Sequence, residues 1–136
     1  MASFVLKDAR VEINSVVLST FVRRVRITHE AEAVEDTAMG DNTKTRLPGL
    51  KDWSAEVEFN QDYAASAVDA TLFSLVGAAA FAVKFRPTSS AISATNPEYQ
   101  GNAVLPSYEP FGQSVGELAT STITLLGSGD LTRAVA

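Results

Sequence analysis

A mainly β chain, folded as a β-sandwich or barrel-like domain with one flanking α-helix and one long extended loop, is what the sequence predicts. Three observations carry that expectation. Short stretches of strict apolar/polar alternation recur along the 136 residues, turn residues separate them, and a single stretch has helical spacing. About seven strands and one helix result, which suits a sandwich or barrel. Residues 1–136 read as a single domain, long enough to bury a core without cross-links.

Ala9, Val11 and Ile13 alternate with Arg10, Glu12 and Asn14, and Asn14-Ser15 reads as a tight turn before Val16 to Leu18 return the chain. From Phe21 to His29 one face carries Phe21, Val25 and Ile27, with Arg23 as the exception, and the other carries Arg24, Arg26 and Thr28. That pattern predicts a half-buried strand. Residues 30–48 hold many acids and no sustained apolar period. They read as a long loop, functional or disordered, or as an extended hairpin with Met39-Gly40-Asp41-Asn42 at its tip. In every case the segment reaches away from the core.

Pro48-Gly49 marks a turn. After Trp53, Ala55, Val57 and Phe59 face one way while Glu56, Glu58 and Asn60 face the other. Burying Val57 and Phe59 contributes roughly 1.5–3 kcal/mol each, which sets their side as the inner one. Glu56 and Glu58 then look at solvent, a partner or a cavity. Over residues 66–76, Val68, Leu72, Leu75 and Val76 share one helical face, with Ser66 as the expected cap and Gly77 as the stop. Phe81, Val83 and Phe85 alternate with Ala82, Lys84 and Arg86; Tyr99 to Leu105 and Ala119 to Leu126 supply further strands. The final Leu131 to Ala136 is too short to assign.

The chain has no cysteine, so disulfides, thiolate chemistry and Cys-bound zinc are excluded. A net charge of −5 and a pI of about 4.8 argue against a protein that grips nucleic acid. Neither a signal peptide nor a membrane span is expected. Catalytic readings are thin. The lone His29, beside Glu30 and Glu32, lacks the second histidine of a zinc helix. Ser54 with His29 and Asp52 lacks a nucleophile elbow. Gly127-Ser128-Gly129-Asp130 lacks the lysine of a phosphate loop. Glu56 and Glu58 point the same way along one strand, so they do not flank a substrate. Arg23, Arg24 and Arg26 either bind phosphate or pair across strands with Glu12, Glu56 or Glu58. No catalytic, metal or cofactor residue is assigned.

Five segments, taken in order, resemble the tail tube (major tail) proteins of long-tailed bacteriophages, in particular of the actinobacterial phage and prophage type: "VLKDARVEIN", "VEDTAMGD", "RLPGLKDWSAEVEFNQDYAASAVDATLF", "SATNPEYQGNAVL" and "GELATSTITLLGSGDLTRA". The resemblance spans nearly the whole chain. It implies a β-sandwich with a flanking helix that assembles with copies of itself as hexameric rings, stacked into a hollow tube through which DNA passes without specific binding. Tail tip, tape measure and terminator proteins are the implied partners. The tail of the virion, assembled in the host cytoplasm, is the implied location. Within that reading Glu56 and Glu58 are expected to face the lumen and give it an acidic lining that repels phosphate. Glu35, Asp36, Met39, Asp41, Asn42, Lys44 and Arg46 of the long loop are expected to reach adjacent subunits, mobile alone and ordered on assembly. Another tail component, such as a terminator or connector, is the nearer alternative; a small-molecule-binding β-barrel is the further one.

Overall fold

A computed structural model of the chain describes residues 3–135. Eight strands form one antiparallel sheet: β1 (Arg10–Ile13), β2 (Val16–Val17), β3 (Val22–Glu35), β4 (Arg46–Asn60), β5 (Phe81–Arg86), β6 (Glu98–Val104), β7 (Thr120–Gly127) and β8 (Thr132–Ala134). Their spatial order is β2-β1-β5-β6-β7-β4-β3, with β8 beside β6. The sheet is not flat. β7 shares only two registered pairs with β6, Ala103 with Gly127 and Val104 with Leu126, before it runs along β4 from Ser54 to Asn60. The bend there turns both halves inward on one apolar cluster: Val11 and Ile13 of β1, Phe81, Val83 and Phe85 of β5, the inner side of β4, and Ile123 and Leu125 of β7. Val68, Leu72 and Leu75 add to it from the helical segment.

Asn14 and Ser15 take φ of 50° and 68°, the left-handed conformation that a two-residue hairpin turn demands. Trp53, Ala55, Val57 and Phe59 are all buried, so the predicted inner face of β4 is the observed one. Trp53 explains two distant glycines. A Cβ on Gly127 would lie 2.4 Å from its Nε1, and one on Gly101 would lie 2.6 Å from its Cζ2. The indole N–H donates to Gly129 O at 3.2 Å, where the chain leaves β7 before β8 resumes along β6. Gly127 to Asp130 thus seats a tryptophan.

Two expectations are corrected. The helix covers less than 66–76: α1 runs Val68–Leu72 and tightens into a 3₁₀ turn over Phe73–Leu75. Val76 leaves the helical path to bridge Leu105, and Gly77 follows at φ 75°. Ser66 is not the cap, because its φ of 61° is left-handed and Ala67 occupies the cap position with no side-chain bond. The loop over 30–48 is likewise mostly strand. β3 continues to Glu35 and β4 begins at Arg46, which leaves only residues 36–45 as a connection. The hairpin reading of that segment is the correct one.

Candidate assembly surfaces

Glu56 and Glu58 lie on the outward face of β4, between two strands of contrasting chemistry. On one side Arg26 stands opposite Glu56 and Arg24 opposite Glu58; on the other side are Thr124 and Thr122. The Arg24 guanidinium reaches diagonally to the Glu56 carboxylate as an ion pair. This stretch of the face carries two cations and two anions. It is charge-balanced rather than acidic, because β3 sets an arginine across from each glutamate. The cross-strand reading of the arginine cluster therefore holds for Arg24. The opposite half of the sheet has its own outward pairs. Glu12 meets Arg10 at 3.2 Å and Lys84 at 3.8 Å. The almost fully buried Glu98 has Arg86 Nε 2.8 Å away, an N–H poorly aligned for a hydrogen bond, so Coulomb attraction holds the pair.

The distal parts of β3 and β4 leave the body as an arm. Every residue from His29 to Asp52 is exposed, so neither side of the ribbon meets the core. Val34 pairs with Leu47 and Glu35 with Arg46, while Glu32 is opposed by the bulged Gly49-Leu50. Gly49 permits that bulge: a Cβ there would sit 2.9 Å from Glu32 Cβ. The tip is closed by Asp36 N–H donating to Thr45 O at 3.0 Å, by the Thr45 hydroxyl donating to Asp36 Oδ1, and by Ala38 N–H donating to Asp41 Oδ2 at 2.7 Å. Glu35, Asp36, Met39, Asp41, Asn42, Lys44 and Arg46 thus converge on one projecting tip, with Met39 fully exposed. They stand apart from Glu56 and Glu58.

Two further surfaces escaped the sequence reading. β3 is the last strand of the sheet, so its outer edge is unpaired along 14 residues, whereas β2 at the opposite end has only two. Such an edge is a template for another chain. Phe4, Val5 and Leu6 are exposed in a segment without strand structure, and Tyr63, Phe73, Phe111, Val115 and Leu118 are exposed around α1 and the connection into β7. A three-residue apolar run outside any alternating pattern was the available signal for the first group.

The catalytic readings lose their geometry. Thr28 pairs with Ser54 and His29 with Trp53, so Ser54 and His29 point to opposite faces of the sheet. Among the described residues no three His, Asp or Glu side chains gather as a metal site, and no helix is long and apolar enough to cross a membrane. One titratable group is clearly perturbed. Burial pushes the Tyr108 hydroxyl up to about 12; donation to Asp69 at 3.0 Å adds to the rise, and the contact from Gln61 opposes it. This network fastens the loop before β7 to α1.

The fold recurs in solved structures. A chain from the virion of a native gene transfer agent particle superposes with a TM-score of 0.75, at 16% identity, over 97% of this chain and 99% of that one. The two chains share one fold. A chain from the tail of an empty gene transfer agent particle, refined with C6 symmetry, gives 0.63 at 16% identity over 82% and 81%. A chain from the sheath/tube terminator of an extracellular contractile injection system gives 0.72 at 12% identity over 98% and 97%. No family model and no curated protein matches the chain.

Proposed function

We propose that this protein is a structural subunit of a phage-type tail tube: copies close into hexameric rings, and the rings stack into a hollow conduit for DNA. The observation that carries this reading is the end-to-end likeness to a virion chain, 97% of one and 99% of the other. The C6 symmetry of a related tail supports six subunits per ring. The chain's own surfaces supply the means. An exposed strand edge can extend the sheet into a neighbour, and an arm with apolar residues but no core contact gains its packing from another copy.

The outward face of β3, β4 and β7 is our candidate for the lumen wall. Nucleic acid adheres where cations are free to displace its counterions, and Arg24 is already committed to Glu56. A wall of balanced charges and threonines lets DNA slide by neutrality, not by acidic repulsion. The five sequence segments support assignment to the long-tailed, actinobacterial phage type, with tail tip, tape measure and terminator proteins as partners in the virion tail.

Negative-stain electron microscopy with light scattering on concentrated protein tests the proposal, and hollow stacked rings are expected. Protein that stays monomeric, even with tail tips added, refutes it. The likeness to a sheath/tube terminator chain supports a second reading, a tube terminator. That protein would form single rings that cap tubes and never polymerise.

A further inference from the structure

Two cavities that share Leu6, Ala9 and Val25 make one continuous groove between the N-terminal segment and β3. One end, about 350 Å³, carries Lys7, Arg23 and Arg24 beside the hydroxyls of Ser19 and Thr20. The other, about 230 Å³, is lined chiefly by Phe4, Ile27, Phe85, Pro87 and Tyr99. Asp8 also lies at this end, its carboxylate held by the Ser89 hydroxyl, and Arg24 is held by Glu56, so Lys7 and Arg23 leave an excess of one positive charge. Among the described residues Lys7 and Arg23 join no ion pair.

We propose that this groove receives the arm tip of a second copy of the chain, an inference that rests on the tube reading above. The tip matches the groove twice. Glu35, Asp36 and Asp41 exceed Lys44 and Arg46 there by one negative charge, which suits Lys7 and Arg23, and the fully exposed Met39 beside them suits the apolar end. The occupant is not the chain's own tip. Val25 lines the groove and Glu35 begins the tip, so ten residues of extended β3, about 33 Å, separate the two. The groove wall also wants a cover. Residues 3–9 have no strand pairing, and Phe4 and Leu6 stay more than half exposed at 64% and 54%. A methionine laid against them would bury that apolar surface.

The chain has no cysteine, so Leu6→Cys with Met39→Cys creates the only two thiols. A bridge within one chain is excluded, because a disulfide needs Cα atoms within about 7 Å. Oxidising assembled double variant should give a ladder of covalent multimers on a non-reducing denaturing gel. Tubes visible by microscopy without a ladder overturn the groove assignment and leave the tube reading intact. Unsubstituted protein that never forms tubes, with or without tail tips, overturns both. A second measurement keeps the proposal testable if the thiol variant does not fold. Lys7→Glu with Arg23→Glu should raise the concentration needed for assembly about tenfold, and Asp36→Lys with Asp41→Lys in the same chain should restore it. An unchanged threshold, or a reversal without rescue, overturns the proposal.

Discussion

Removing the arm tip should separate folding from assembly. Glu35 and Arg46 are cross-strand partners, so residues 36–45 can be replaced by a two-residue Asn-Gly turn without disturbing the last pair of the ribbon. Shortening the connection from ten residues to two lowers its closure cost by (3/2)RT ln 5, about 1.4 kcal/mol. Against this stand the lost tip hydrogen bonds, all exposed and each worth about 0.5 kcal/mol net once water replaces the partner. No buried side chain is removed, because every residue from 29 to 52 is exposed. The six lost bonds together outweigh the closure gain by about 1.6 kcal/mol, and the monomer should lose no more than about 2 kcal/mol of stability. A core truncation such as Phe59→Ala should by contrast cost about 3–5 kcal/mol. Urea unfolding of dilute protein reads the first quantity, and electron microscopy of concentrated protein reads assembly, which should be lost. A destabilisation above about 3 kcal/mol would mean that the tip packs on the body. Hollow tubes from the shortened protein would mean that the tip is dispensable. Either result refutes the reasoning.

Other substitutions probe the scaffold and the proposed wall. Gly127→Ala forces a methyl onto the buried Trp53 ring and should cost about 1–3 kcal/mol; an unchanged urea midpoint would show that the ring has room to move. Ser15→Gly relieves a left-handed serine in the first turn and should stabilise by up to about 1 kcal/mol, seen as a higher melting temperature; a lower one would contradict the turn geometry. Because the Tyr108 pKa is raised in the folded state, its contribution to stability is full below pH 10 and is lost as pH rises through about 12. Phenolate absorbance should show a phase near pH 12 that Tyr108→Phe removes, and its persistence in that variant would misplace the assignment. Glu56→Lys with Glu58→Lys turns a balanced patch into four like charges per subunit with Arg24 and Arg26; DNA ejection should slow and become salt-dependent, and unchanged ejection would place the lumen on another face.

Alternation made the body of the fold legible, since a strand with one buried face prints a period of two. Ala55, Val57 and Phe59, Phe81, Val83 and Phe85, and the Asn14-Ser15 turn all fell where the sequence put them. The arm lacked that print for a physical reason. Both of its faces meet solvent, so nothing selects apolar residues on one side, and a paired strand from Glu30 to Glu35 looks like a loop. The helix was overextended because Val68, Leu72 and Leu75 are equally consistent with an α-helix and with the shorter helix and 3₁₀ turn observed. Pairing partners were legible only as a set. The sequence allowed the arginines to meet Glu12, Glu56 or Glu58; register alone chooses Arg24 with Glu56. The seat of Trp53, built from Gly101 and Gly127 far along the chain, had no local signal at all.

The arm's composition makes sense as a compromise between two states. A two-stranded ribbon with no core on either side is marginal in water, and here two apolar pairs, Val34 with Leu47 and Ala33 with Pro48, and the tip hydrogen bonds support it. More apolar residues would steady it, yet they would also let free subunits stick at random through the open edge of β3. Acidic residues reduce that hazard, because tips on which Glu35, Asp36 and Asp41 exceed Lys44 and Arg46 by one charge repel one another in solution. The same charges become an attraction only where a surface offers unpaired cations beside apolar side chains. The basic and apolar groove along the N-terminal segment is such a surface. An arm of this kind is adhesive toward one site and inert toward its own kind, which is what a subunit needs if it must stay dispersed until a tube begins to grow.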